Sequence, residues 1–134
     1  MNEFPHSNTR ILAADDEPQI RELIANFLSR LGITPVLVTN GAECLEILGE
    51  QEFDLLILDL IMPEFSGFDV LERVRADPKY DKMLILILSS LVDPEGIKKG
   101  FEMGADGYLT KPYLAKNLVS QVRSMLQKGR TVSK

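Results

Sequence analysis

The chain of 134 residues contains no tryptophan, one cysteine and one histidine. A lone cysteine, Cys44, excludes an internal disulfide and a zinc site built from several thiolates, which fits a reducing compartment. The one histidine, His6, lies in a polar segment beside Pro5 and Ser7. We therefore expect neither a histidine-based metal site nor a charge-relay triad within the fold. Carboxylates, hydroxyls and lysines are left as the candidates for chemistry.

Long hydrophobic runs and an excess of positive charge are absent as well. No uninterrupted apolar run reaches the ~18–20 residues that span a bilayer. Residues 1–10 lack the basic-then-apolar order of a signal peptide. A formal net charge of −5 argues against direct nucleic-acid binding, which requires clustered Lys and Arg. These absences favour a cytoplasmic protein that contacts neither membrane nor nucleic acid.

What the chain does contain is a regular alternation of β-type and helical patterns, in a length that suits one domain. Strands are predicted at 10–14, 33–39, 54–59, 83–89 and 107–110; helices are predicted at about 18–31 and 41–49, from Ser66, from Asp93, and over about 118–126. Strict alternation implies parallel strands with helices on both faces of the sheet. This is a three-layer (βα)5 α/β domain over 9–126, with a lead-in at 1–8 and a polar tail or linker start at 127–134.

Polar residues collect where the predicted strands end. In open α/β sheets the site lies beyond the carboxyl ends of the strands. Those ends carry Asp15, Asp16, Glu17, Asp59, Ser89 and Lys111. Crowded carboxylates repel by ~4 kcal/mol per close pair at an effective dielectric of ~20, so a cation should bind there. An all-oxygen cluster suits Mg²⁺. With Lys111 as a second cation, the pocket would accept a phosphoryl group, and Asp59 could act as its nucleophile.

Each of these residues also has a plain structural explanation. The acidic run before Pro18 could cap a helix and favourably charge its N-terminus. Asp59 could be a loop residue, Ser89 a turn former and Lys111 a solvated charge. Such explanations treat the residues one at a time, whereas the arrival of four separate segments at one sheet edge favours a functional site.

Four motifs carry a family resemblance: ILAADDEP, LLILDLIMPEFSGFDVLERVR, LILILSS and GADGYLTKPY. Asp16 and Asp59 are 43 residues apart, Asp59 and Ser89 are 30 apart, and Ser89 and Lys111 are 22 apart. From about Thr9 to Leu126 the chain resembles the receiver domain of two-component response regulators, and is similar to the single-domain chemotaxis regulator. The resemblance implies a flavodoxin-like five-stranded parallel sheet with strand order 2-1-3-4-5.

The resemblance also implies a phosphorylation site. Asp59 would accept a phosphoryl group from the phosphohistidine of a histidine kinase or a histidine phosphotransfer protein. Mg²⁺ would be bound by Asp16, Asp59 and the backbone carbonyl of Ile61, with Asp15 acting through a metal-bound water. Lys111 would pair with Asp59 and then with the phosphoryl oxygens.

Five further positions take their expected roles from the same resemblance. Ser89 would move toward the phosphoryl group, and Tyr108 would fill the space it vacates. This would change an output surface made of helix four, strand five and helix five, where a downstream protein would bind. Pro112 corresponds to the cis-proline that orients the lysine, and Pro63 and Gly67 are expected to be structural.

Two apolar residues depart from relatives in which polar side chains orient an attacking water. Ile61 and Leu91 lie near the expected entrance to the site, so we expect slow self-dephosphorylation. Ser89 stands where Thr is frequent, which keeps the hydroxyl. An initial Met and a short lead-in favour a free-standing or N-terminal receiver.

Other functions stay open on these residues. An aspartyl-nucleophile phosphohydrolase would need a second Asp at position 61, where the chain has Ile61, so a turnover enzyme is disfavoured. A flavodoxin-like cofactor binder would need a Gly/Ser/Thr-rich loop after strand one, where the acidic run would repel phosphate. A metal-free, degenerate receiver that acts as an interaction module is the remaining alternative.

Overall fold

A computed structural model of the chain describes residues 9–111 and 115–130, and within these ranges strands and helices alternate. The strands are β1 Ile11–Ala14, β2 Val36–Val38, β3 Leu55–Leu58, β4 Leu84–Ser89 and β5 Gly107–Thr110. The helices are α1 Pro18–Ser29, α2 Gly41–Glu50, α3 Gly67–Ala76, α4 Pro94–Glu102 and α5 Ala115–Lys128, with a short 3-10 helix at Pro78–Tyr80. All strand pairs are parallel, in the order β2-β1-β3-β4-β5. The predicted flavodoxin-like fold is confirmed.

Helices cover both faces of the sheet, and so the central strands are apolar except for Ser89 at the end of β4. Every residue of β1, β3 and β4 is buried. One face packs against α1 and α5, and the other packs against α2 and α3. Cys44 belongs to the second of these cores and is fully buried, and burial raises the pKa of its thiol to about 12. The cysteine therefore serves as a small hydrophobic residue.

Most element ends lie within one or two residues of the sequence prediction, and the start of β2 is among those that differ most. Strand β2 begins at Val36 rather than at Ile33, because the chain is still turning out of α1 at that point. Gly32 has a φ of 76°, the N–H of Ile33 donates to the Leu28 carbonyl at 3.2 Å, and Pro35 has no N–H to contribute to a strand. At the other end of the chain, α5 continues to Lys128, beyond the predicted boundary at 126.

The helix starts follow local capping chemistry. The predicted capping box is present at α3, where Ser66 and Asp69 bond to each other's backbone N–H groups. Asp93 caps α4 through the N–H of Gly96 at 2.9 Å, and Asn40 caps α2, which the sequence analysis did not anticipate. No helix in the described part of the chain is long and apolar enough to cross a membrane.

Candidate functional site

The strand order brings the polar strand ends to one edge of the sheet. β3 lies between β1 and β4, with Ala14 paired to Leu58, and β5 follows β4 with Ser89 paired to Thr110. The residue after β3, Asp59, is therefore central. Four carboxylates meet there, and their ligand oxygens lie within 4.8 Å of one another: Asp15, Asp16, Glu17 and Asp59.

The turn from β1 into α1 fixes Asp15. Its backbone N–H extends the sheet by donating to the Val38 carbonyl at 3.2 Å. Its Oδ1 accepts the N–H of Glu17 at 2.9 Å, and Arg21 donates to its carbonyl oxygen at 2.8 Å. Glu17 occupies the N-cap position of α1 without making a side-chain cap, and so its carboxylate faces the site instead of the helix.

Asp59 is held just as firmly at the end of β3. Its N–H donates to the Ala14 carbonyl at 3.1 Å, and its Oδ1 accepts the N–H of Ile61 at 3.1 Å. Only 3% of Asp59 is exposed. One carboxylate oxygen is therefore fixed by the backbone, while Oδ2 faces the neighbouring segments.

The loop after Asp59 folds back against the residues that follow β3. Gly67 donates its N–H to the Leu60 carbonyl at 3.0 Å, and a Cβ at this position would lie 2.1 Å from the carbonyl oxygen of Asp59. Only glycine fits such an approach. The carbonyl of Pro63 accepts the N–H of Phe65 at 2.8 Å within the same loop. The close approach at Gly67 fixes the loop against the end of β3, and the structural role of Pro63 stays a prediction.

Lys111 reaches into the carboxylate cluster from the end of β5. Its Nζ lies 2.9 Å from Asp15 Oδ2, 3.2 Å from Glu17 Oε1 and 3.3 Å from Asp59 Oδ2. Burial on its own would lower the pKa of the ammonium, but the hydrogen bond to Asp15 and the charges of Asp59 and Asp15 outweigh it and raise the pKa. Lys111 is therefore charged at neutral pH.

The site as a whole has too little positive charge. Burial raises the pKa of Asp59, and the negative charge of Asp15 adds to this, while the Ile61 N–H and Lys111 oppose it. Within the described ranges, three of the four carboxylates in this cluster contact the same ammonium. A further cation would relieve the excess of negative charge.

The donor set fits Mg²⁺. Asp15 Oδ2 is buried, and among residues 9–111 and 115–130 its one polar partner is the ammonium of Lys111, at 2.9 Å. A buried carboxylate oxygen with capacity for a further partner, in an all-oxygen cluster, is a suitable ligand for a hard divalent cation. Asp15, Asp16 and Asp59 are the ligands expected from the sequence, and Glu17 joins them. In the sequence, the sign that Glu17 belongs to this cluster was its position next to Asp15 and Asp16. The described contact of Ile61 here is its N–H, not its carbonyl.

Ser89 and Tyr108 meet at the end of β4. Ser89 is fully buried, and its Oγ accepts the N–H of Leu91 at 3.2 Å. The carbonyl of the same leucine accepts the Tyr108 hydroxyl at 2.7 Å. Burial raises the pKa of Tyr108, and a hydrogen bond with Ser89 partly offsets this. The expected cis-proline, Pro112, lies outside the described residues.

Comparison with known proteins gives a consistent result. A family model described as "Response regulator receiver domain" matches residues 11–123. The transcriptional regulatory protein GltR of Pseudomonas aeruginosa is 34% identical over 119 residues, an alignment that covers 89% of this chain and 49% of GltR. The chain spans about half the length of the curated relatives that it matches.

Solved structures show the same similarity over nearly their full length. The receiver domain of the Francisella response regulator 1452 has a TM-score of 0.83 at 28% identity, covering 90% of this chain and 98% of that one. The chemotaxis response regulator CheY4 of Vibrio cholerae has a TM-score of 0.81 at 30% identity, covering 87% and 97%.

Proposed function

The chain belongs to the family of response regulator receiver domains, and from this premise we propose that Asp59 is the residue that accepts a phosphoryl group. Receiver domains are phosphorylation-controlled signalling switches of two-component systems. The observation that carries the proposal is the position of Lys111. Its ammonium lies between the Oδ2 atoms of Asp15 and Asp59, at 2.9 Å and 3.3 Å.

The chemistry follows from how the two oxygens of Asp59 are held. Oδ1 is fixed by the Ile61 N–H and Oδ2 faces Lys111, and so the carboxylate is oriented before a donor arrives. An Asp59 oxygen forms a bond to phosphorus while the P–N bond of a donor phosphohistidine breaks and leaves its electron pair on the imidazole. Lys111 stabilises the charge on the phosphoryl oxygens.

Asp15, Asp16 and Asp59 would hold Mg²⁺, with Glu17 within reach. When bound, the ion supplies positive charge to the oxygens of the transferring group. The carbonyl of Ile61 completes the expected ligand set.

We also propose how the new charge leads to switching. A phosphoryl group adds close to two negative charges and strong acceptor oxygens, which attract the Ser89 hydroxyl. Moving that hydroxyl alters its contact with the Leu91 N–H. Because the Leu91 carbonyl holds the Tyr108 hydroxyl, the change reaches β5 and with it the α4-β5-α5 output surface. A downstream protein would read this surface.

The partners follow from the family. Receiver domains interact with histidine kinases and with downstream effectors. For this chain we propose a kinase or a histidine phosphotransfer protein as donor, a protein as target, and the cytoplasm as location. The domain changes state once per phosphorylation and is not a turnover enzyme, and it binds neither nucleic acid nor membrane itself.

Incubation with Mg²⁺ and acetyl phosphate, followed by mass spectrometry, tests the proposal. We expect acid-stable, base-labile phosphate on Asp59 and its loss in Asp59→Asn. Asp81→Asn is a matched control. The hydrogen bond from Arg130 to Asp81 is accepted by the backbone carbonyl of Asp81, which the substitution keeps. Phosphate on another residue, or unchanged labelling of Asp59→Asn, contradicts the proposal.

A phosphohydrolase is the second candidate, and one residue argues against it. Ile61 occupies the place of the second acid, and its side chain is 55% exposed at the mouth of the site. Release of many equivalents of phosphate per protein from p-nitrophenyl phosphate would favour this alternative. Stoichiometric labelling without turnover favours the switch.

A further inference from the structure

We propose that Glu17 is a positioning residue for Lys111, an assignment that rests on the proposed function. Glu17 is bonded through both its backbone and its side chain. Its N–H donates to Asp15 Oδ1 at 2.9 Å, and its carbonyl accepts the N–H groups of Ile20 and Arg21 at 3.1 Å each. Its Oε1 lies 3.2 Å from Lys111 Nζ. One residue thus connects the start of α1, a buried carboxylate and the lysine.

The three carboxylates that contact Lys111 differ in solvent exposure, and this difference indicates different roles. The side chains of Asp15 and Asp59 are 1% and 4% exposed, whereas that of Glu17 is 46% exposed. The two buried groups face the place where a divalent cation fits. A cation there would share their charge and repel the ammonium. Glu17 holds Lys111 from the solvent side, and so the ammonium stays beside Asp59 when a cation is bound.

A competing effect has the opposite sign. Glu17 is negative and would repel an anionic phosphodonor, so that its removal would speed phosphorylation. The exposure of its side chain means that this repulsion is screened by solvent and salt. The contact with the ammonium is made at hydrogen-bond distance and is screened less. Loss of positioning should therefore dominate, and it should persist at high ionic strength.

The first measurement compares Glu17→Gln with Glu22→Gln, which removes the same charge from an exposed position on α1. At saturating Mg²⁺ and high salt, Glu17→Gln should be phosphorylated by acetyl phosphate about 3- to 10-fold more slowly, the effect of one weakened charge-assisted hydrogen bond. Mg²⁺ affinity, measured by calorimetry, should change by less than about threefold, and Glu22→Gln should match the wild type.

A double-mutant cycle with Lys111→Gln tests whether Glu17 acts through the lysine. The readout is affinity for beryllofluoride, a phosphoryl analogue, and so it does not depend on turnover. Glu17→Gln should weaken this affinity in the wild type and leave it unchanged in Lys111→Gln.

The outcomes separate this proposal from the one on which it rests. An unchanged or faster rate, an equal loss in both backgrounds, or a collapse of Mg²⁺ affinity in Glu17→Gln would each overturn the positioning role. Absence of phosphate on Asp59 of the wild-type protein would overturn the proposed function itself.

Discussion

The two edges of the sheet each hold a cluster of charged side chains, and the clusters have opposite composition. At the carboxyl edge, among the described residues, three carboxylates of a cluster of four contact Lys111. At the amino edge two guanidinium groups contact one carboxylate: Arg75 Nη2 lies 2.9 Å from Asp106 Oδ2, and Arg130 Nε lies 2.9 Å from Asp106 Oδ1. Asp16 and Glu17 are open to solvent, but Asp15, Asp59 and Lys111 are as well shielded as the amino-edge side chains, and so the difference in hydrogen bonding between these shielded groups is informative.

The amino-edge cluster is well satisfied. Arg75 also donates to three backbone carbonyls, those of Gly104, Tyr80 and Met83, at 2.8–2.9 Å. Asp106 accepts a further bond from a backbone N–H at the start of β4. In the carboxyl-edge cluster, a buried oxygen of Asp15 has the ammonium of Lys111 as its one polar partner among the described residues. A fully satisfied network holds elements together, whereas one with unused acceptor capacity is prepared for a ligand.

Breaking the amino-edge network should have the largest effect on stability. Arg75→Met keeps most of the hydrocarbon volume but removes one of the donors to Asp106 and the side-chain donor to three backbone carbonyls, which should cost about 3–5 kcal/mol of unfolding free energy. Urea denaturation measures this. Arg73→Met on the same helix removes only a cation–π contact with Phe65 and should cost no more than ~1 kcal/mol. Equal losses in the two variants would contradict the comparison.

Cation binding should have the next largest effect, and only at the carboxyl edge. Mg²⁺ at ~100 times its dissociation constant should stabilise the fold by about 2.7 kcal/mol through mass action. The gain should disappear in Asp16→Asn and persist in Arg130→Gln. Denaturation with and without Mg²⁺ checks both variants, and a gain that survives Asp16→Asn would place the cation elsewhere.

The third largest effect should be on the rate at which water removes the phosphoryl group from Asp59 at the carboxyl edge. The apolar side chain of Ile61 is exposed beside Asp59 and cannot orient a water molecule. Ile61→Asn should speed loss of the phosphoryl group about tenfold by positioning the attacking water. Val92→Asn, which changes a residue that is 60% exposed, is the control. Decay of the phosphorylated form is measured after the donor is removed, and an unchanged rate would refute this role of Ile61.

The smallest effect expected is a gain in stability from removing a charge. Without Mg²⁺, Asp16→Asn should stabilise the protein by about 0.5–1 kcal/mol, because it relieves repulsion among partly screened carboxylates. Asp69→Asn should not stabilise, since Asp69 makes the capping box of α3. Urea denaturation in the presence of a chelator measures the unfolding free energy of the two variants and of the wild type.

The contrast between the edges also explains what the sequence could predict. The residues Asp15, Asp16 and Asp59 directly follow apolar strands, and parallel strands bring such residues to one edge, which made that cluster predictable. The strand order itself came from family resemblance and is confirmed by the pairing.

The amino-edge network had no comparable signal. Arg75 lies on α3, Asp106 immediately precedes β5 and Arg130 follows α5. Arg75 and Asp106 stand within two of the quoted motifs, but nothing in those motifs indicates that the two residues pair. Arg130 falls in the segment predicted as a polar tail, yet it is bonded to Asp106. Likewise, the side-chain contact between Glu17 and Lys111 depends on the absence of a cap at α1, which residue spacing does not reveal.

The hydrogen bond from Tyr108 to the Leu91 carbonyl has a practical consequence. Because the chain has three tyrosines and no tryptophan, its intrinsic fluorescence is tyrosine emission, and no energy is transferred to a tryptophan. Tyr80 is bonded to the Leu48 carbonyl at the far edge of the sheet, away from Asp59. The phenol at position 108 therefore contributes an intrinsic optical signal beside Ser89, which comparison with Tyr108→Phe would separate from the emission of the other tyrosines.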